Sequence, residues 1–67
     1  MVRFISKIIG GTEFVTVTVN NISKYTCKKV DCFNPFWMLF DIKNNKVGEF
    51  KSLLTVQKEI ESREAIL

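Results

Sequence analysis

The segment that most constrains the fold of this chain is FWMLF, five consecutive large apolar residues beginning at Phe36. A strand with one wet face needs apolar residues only at alternate positions, so an unbroken run must be covered on both faces or contact something outside the chain. In a strand, Trp37 and Leu39 point to one face, and Phe36, Met38 and Phe40 point to the other. We therefore expect a strand that needs a partner on each face.

The length of the chain limits how it can be stabilised. Sixty-seven residues form one domain, residues 1–67, and a domain of this size buries only about 60% of its unfolded surface. Small domains often add disulfides, a metal or oligomerisation. With two cysteines and no histidine, we expect neither a disulfide framework nor a structural zinc site. We expect no cofactor and no metal. Oligomerisation is then the remaining way to add stability.

Alternation of apolar and polar residues predicts an antiparallel meander in the first half of the chain. The clearest strand is EFVTVTVN, whose valines fall on one face: Val15, Val17 and Val19. Asn20 and Asn21 follow, and both tolerate the positive φ of a tight turn. In the next strand, ISKYTCK, Tyr25 and Cys27 share one face. Its opposite face is expected to carry Lys24, Thr26 and Lys28.

Two other segments are assigned less directly. Residues 2–9 have apolar positions at helical spacing, but their β-branched content and the following Gly10 and Gly11 favour a strand that enters a hairpin. After the FWMLF segment, KNNK predicts a turn and VGEF a short fifth strand. Gly48 then marks a bulge or the close approach of another backbone.

The end of the chain has the period of an amphipathic helix that begins near Ser52. Ser52 or Thr55 can cap its start, and Glu59 with Arg63 has the favourable i,i+4 orientation of an ion pair. The apolar stripe is formed by Leu53, Val56, Ile60 and Leu67, with Leu54 beside it. We predict an α+β fold: a small curled antiparallel β-sheet of four to five strands, meander-like or barrel-like, with one C-terminal amphipathic helix.

The residue types argue against an enzyme. The chain has no histidine to act as a general base near neutral pH, no glycine-rich phosphate loop and no obvious pair of carboxylates. Asp31 and Asp41 are separated by the apolar strand. We therefore predict a non-enzymatic protein.

Apolar surface leads to the first functional hypothesis, a small interaction module that binds and modulates a larger host or viral protein. Trp, Phe and Met are enriched at the centres of interfaces, and a large apolar patch is unusual on a monomer. The expected interface with a protein partner, or with a second copy in a homodimer, consists of Phe36, Trp37, Met38, Phe40, Ile66 and Leu67.

Charge leads to the alternative hypothesis, a small β-barrel that binds nucleic acid. The net charge is +3, and residues 1–32 carry five basic and two acidic side chains. One basic group contains an aromatic residue, which can combine phosphate contacts with base stacking. This candidate site consists of Lys24, Tyr25, Lys28 and Lys29.

Composition also bears on origin and location. Six phenylalanines against three glycines and one proline are typical of an AT-rich genome, such as that of a phage or another mobile element. The longest apolar run is far shorter than the roughly 20 residues of a membrane span, and no signal peptide is visible. We expect a cytoplasmic protein, in the host cytoplasm if a phage encodes it, with no membrane partner.

Overall fold

The structure, a computed structural model that describes residues 1–64, is an α+β fold with a five-stranded antiparallel sheet and one helix. The elements are β1 (Val2–Ile9), β2 (Thr12–Val19), β3 (Ile22–Val30), β4 (Phe36–Asp41), β5 (Lys46–Phe50) and α1 (Leu53–Glu64). The strands neighbour one another in chain order, so the sheet is a meander with β1 and β5 at its edges. The predicted fold class is confirmed, and within residues 1–64 the sheet is not closed into a barrel.

Two tight turns set the register of the first three strands. Gly10 and Gly11 join β1 to β2 with φ of 57° and 80°, and Asn20 and Asn21 join β2 to β3 with φ of 53° and 68°. Positive φ at both central residues gives a turn whose twist matches the right-handed twist of the flanking strands. The glycine pair therefore decides the ambiguous first segment in favour of a strand.

The turn between β4 and β5 is held by a side chain. Asp41 accepts hydrogen bonds on Oδ1 from the backbone nitrogens of Lys43 and Asn45, both at 2.9 Å. Beyond the turn, the register shifts between Leu39 and Phe40, which is the bulge predicted near Gly48. A Cβ at Gly48 would lie 3.2 Å from the ring of Phe50, so the close neighbour of Gly48 is a side chain rather than a second backbone.

The helix begins with a reciprocal cap. The backbone nitrogen of Thr55 donates to Oγ of Ser52, and that of Ser52 donates to Oγ1 of Thr55, each at 3.4 Å. Both predicted capping residues thus take part. Glu59 and Arg63 form the predicted i,i+4 pair at 3.7 Å. The apolar stripe is narrower than expected, because Leu54 is 62% exposed.

One face of the sheet packs against α1 and forms the hydrophobic core. Val56 and Ile60 are fully buried in it. The sheet supplies Val15, Val17, Val19, Tyr25, Cys27, Trp37 and Leu39. Trp37 is 8% exposed and is buried within the monomer. Burial also raises the pKa of the Cys27 thiol to about 11, so this thiol stays neutral and unreactive near neutral pH.

The contact of the helix with the sheet is testable by truncation. Ile60→Ala removes a fully buried side chain and should lower the free energy of unfolding by about 2–5 kcal/mol. Leu54→Ala is the matched control, because it shortens an exposed residue of the same helix and should change stability by less than about 0.5 kcal/mol. Urea unfolding followed by Trp37 fluorescence measures both. Equal losses in the two variants would contradict this account of the core.

Candidate functional site

The sheet has a second face that α1 does not cover, and we call it the open face. Cross-strand partners project from the same side of a sheet, so the register defines its members. One row across the strands contains Lys7, Phe14, Lys28, Met38 and Glu49, and the next contains Ile5, Thr16, Thr26, Phe40 and Lys46. Arg3 lies on this face opposite Thr18, and Phe36 lies on it opposite Val30.

The open face carries the whole net charge of the chain. Its ionisable side chains are Arg3, Lys7, Lys28, Lys46 and Glu49. Lys46 and Glu49 neutralise each other in an ion pair. Among residues 1–64, the other three cations take part in none of the ion pairs. The six remaining basic and six remaining acidic side chains of the chain cancel, so the net +3 comes from this one surface.

Three partly exposed phenylalanines surround Lys28 on the open face, and we call Phe14, Phe36 and Phe40 the aromatic triangle. Phe14 and Lys28 are cross-strand partners, about 5 Å apart at the backbone. Phe36 and Phe40 lie on β4, two residues before and two residues after Met38, the other partner of Lys28. Strand spacing and rise place the three corners about 12–13 Å from one another.

The basic cluster expected from the sequence is not one surface. Lys28 lies on the open face, whereas Tyr25 and Lys29 pair with Asp41 and Trp37 of β4 on the face that packs against the helix. Lys24 departs from the predicted alternation. The register of β2 and β3 shifts at this point, so Lys24 has no strand partner, and its Nζ lies 3.0 Å from Oε1 of Glu64 on α1. The bulge is the physical reason for the difference.

Tyr25 has a structural role that its position in the basic cluster did not indicate. Its hydroxyl donates to Oε2 of Glu64 at 2.5 Å, so strand β3 and the last described turn of α1 are tied together. Burial, and then the bond to Glu64, raise the pKa of Tyr25. The same bond, helped by Lys24, lowers the pKa of Glu64. Tyr25 therefore stays a protonated donor and is not free to stack on a ligand.

The residues of the expected protein interface separate into three groups. Phe36, Met38 and Phe40 lie on the open face, partly exposed, as the alternation of the strand predicted. Trp37 lies in the core on the opposite face and offers no contact surface to a partner. Ile66 and Leu67 lie outside the described residues.

Three residues of the open-face site, Arg3, Lys7 and Phe14, were not predicted from the sequence. Phe14 has the parity opposite to the three valines of β2, so the same alternation that identified the strand also places it on the other face. Lys7 becomes its neighbour only through the pairing of β1 with β2, which required residues 2–9 to be assigned to a strand. The parity of Phe14 in β2 was therefore the one feature of the sequence that could have placed a residue of this group on the open face.

Three further features of the described residues concern metal binding, membrane insertion and the cysteines. Among residues 1–64, no group of three His, Cys, Asp or Glu side chains could hold a metal ion. In the same part of the chain, none of the helical structure has the length and apolar character required to cross a membrane. Both cysteines are free, Cys27 in the core and Cys32 exposed in the loop before β4.

No protein-family model, curated protein or solved structure gives a significant match to the chain. The geometry of the open face is therefore the basis on which a function can be proposed.

The link between Tyr25 and Glu64 predicts a pH dependence of stability. Because the pKa of Glu64 is lower in the folded protein than its ordinary value of 4.5, its contribution is present above that value and is lost as the pH falls through the lower, folded value. Glu64→Gln should therefore destabilise the protein at pH 7, and the difference from the wild type should shrink in acid. Thermal unfolding from neutral to acidic pH measures it.

Glu59→Gln is the matched control for this experiment. It removes a carboxylate of the same helix whose partner Arg63 lies 3.7 Å away at the exposed surface, and such pairs contribute only about 0.3–0.5 kcal/mol. If Glu64→Gln and Glu59→Gln behave alike at all pH values, the link does not stabilise the fold.

Proposed function

We propose that the protein is a non-enzymatic binding module that binds nucleic acid on the open face of its sheet. The observation that carries this proposal is the location of the net charge: three cations that form no ion pair within residues 1–64 lie on the sheet face that the helix leaves uncovered. The proposal keeps the nucleic-acid hypothesis of the sequence analysis but assigns it to other residues. Of the original cluster, only Lys28 remains in the site.

Electrostatics explains why such a face favours a polyanion. Each phosphate that a cation neutralises releases a condensed counterion, and this release supplies most of the affinity of sequence-independent binding. Arg3 and Lys7 lie on β1 and Lys28 lies on β3, with β2 between them. They therefore offer positive charge from β1 to β3, across three of the five strands. Protein docking by apolar contact alone would not require unpaired charge of one sign.

The dependence of affinity on salt tests this proposal. With labelled DNA oligonucleotides, both single-stranded and duplex, log K should fall with log salt with a slope of about −2 to −3 if three cations contact phosphates. Lys28→Gln should weaken binding and reduce the magnitude of the slope by about 0.7–0.9. Fluorescence anisotropy over a salt series measures both quantities.

Lys58→Gln is the control, because Lys58 is an exposed cation on α1, the element that packs against the opposite face. It should leave affinity and slope unchanged. If neither form of DNA binds, or if both lysine variants have the same effect, the open face is not a nucleic-acid site.

Edge strand β1 supports a second candidate function, association with a second copy of the chain. Its outer backbone edge has no strand partner in the sheet. It also carries three exposed isoleucines, Ile5, Ile8 and Ile9, at 56%, 72% and 54% exposure. A long apolar edge of this kind is a template for pairing with another strand. The homodimer expected from the sequence is therefore proposed through β1, a strand absent from the original interface.

Cross-strand charges are compatible with an antiparallel pairing of two copies of β1. In an antiparallel pairing centred on Ser6, Phe4 faces Ile8 of the second copy and Arg3 faces Ile9. In this register no two cations lie directly opposite each other, which avoids the repulsion of like charges. A two-fold pairing also gives the commonest symmetry of small oligomers.

Sedimentation at micromolar concentration tests the homodimer. Ile8→Lys should shift the protein to the monomer, because it places a charge against an apolar side chain of the other copy. Ile22→Lys is the matched control, since Ile22 is similarly exposed, at 58%, but lies at the start of β3. A wild type that sediments as a monomer, or equal effects of both variants, would exclude β1 as the interface.

We also propose a cytoplasmic setting, within a host cell if the gene belongs to a phage or another mobile element. The free, exposed thiol of Cys32 supports a reducing compartment. The amino-acid composition, which is typical of an AT-rich genome, supports the proposed origin.

A further inference from the structure

The aromatic triangle raises a question that the charge of the open face does not answer. Cations alone bind any polyanion, and a lysine-rich surface needs no phenylalanine to do so. Yet Phe14, Phe36 and Phe40 are partly exposed on the same face and surround its central cation, Lys28. Exposed aromatic side chains beside phosphate-binding cations are the features with which proteins hold unpaired bases.

We infer that the open face takes single-stranded nucleic acid, with bases stacked on the phenylalanines of the aromatic triangle and the backbone phosphates near Lys28. This inference rests on the proposed function and names the form of nucleic acid that the same site selects. A duplex presents its phosphates but keeps its bases stacked on each other, so it cannot use the aromatic rings.

The spacing of the triangle defines how a strand would lie on it. The three corners are separated by about 12–13 Å, several times the roughly 3.4 Å between stacked bases of a nucleic-acid strand. Neighbouring bases in a continuous stack therefore cannot occupy two corners. The strand must be extended and its bases splayed, which is the conformation that single-strand binding proteins recognise.

The other side chains of the open face fit this ligand. Thr16 and Thr26 lie in the row beside Lys28 and pair with each other across β2 and β3, so short polar side chains lie between Phe14 and Phe40. The one acidic side chain, Glu49, is neutralised by Lys46. Phosphates that approach Lys28 therefore meet no unpaired carboxylate of the open face.

A comparison of ligands tests the inference without altering the protein. The probes are an oligo(dT) strand of about 16 nucleotides, at the upper end of the sites of small single-strand binding folds, a duplex of the same length and an abasic strand of the same length. Oligo(dT) should bind about ten-fold or more tightly than either alternative, because only it can stack bases on the triangle. Its salt dependence should resemble that of the abasic strand, since both carry the same phosphates.

Variants of the triangle test which residues stack. Phe14→Leu combined with Phe40→Leu keeps apolar side chains but removes two aromatic rings, so affinity for oligo(dT) should fall about ten-fold or more while affinity for the abasic strand is unchanged. Met38→Leu is the matched control on the same face and should have no effect. Trp37 fluorescence verifies that each variant is folded.

The outcomes separate this inference from the proposal beneath it. If duplex and abasic strand bind as tightly as oligo(dT), the site binds nucleic acid by charge alone and the single-strand inference is wrong. The same holds if the phenylalanine variant binds oligo(dT) as the wild type does. If no probe binds, the proposed function fails together with the inference, and the face is left to a protein partner.

Discussion

The packing of α1 against one face of the sheet is the contact on which the rest of the structure depends. The strands alone leave the apolar face of the sheet exposed, and Val56 and Ile60 of α1 cover it. The sheet has two faces, but residues 1–64 contain one helix. One 12-residue helix covers one face. The apolar residues of β4 are therefore divided, with Trp37 and Leu39 in the core and the alternate residues on the open face.

Sequence pattern predicted the fold because local signals agreed with one another. The alternation in β2, the Gly10 and Asn20 turns and the period of α1 each favoured the element that forms, and such agreement is the mark of a sequence that specifies one structure. The parity of β4 also placed Phe36, Met38 and Phe40 correctly on one face. The functional site was less predictable, since it joins side chains from different strands, and strand register depends on bulges and turns that leave weak sequence signals.

Lys24 and Tyr25 show how a single bulge changed a functional interpretation. Regular alternation placed Lys24 with Lys28 and away from Tyr25, whereas the bulge turns Lys24 toward α1 and the Glu64 carboxylate. A buried tyrosine requires a partner for its hydroxyl, and Glu64 accepts from Tyr25 and Lys24 together. Two residues of the cluster that resembled a ligand site in sequence thus hold the helix to the sheet. These contacts with α1 lie away from the open face.

The cations of the open face could also serve a structural purpose. That purpose requires a different arrangement of charges from the one required by nucleic-acid binding. Lysines beside apolar side chains keep an uncovered sheet from aggregating, but charge of either sign serves that purpose, and alternating signs serve it without a strong field. Among residues 1–64, the one carboxylate on this face is neutralised, three cations of the face form no ion pair, and the phenylalanines lie next to the central cation. Protection against aggregation requires neither the uniform sign nor the aromatic neighbours. Recognition of a phosphate backbone with unpaired bases requires both.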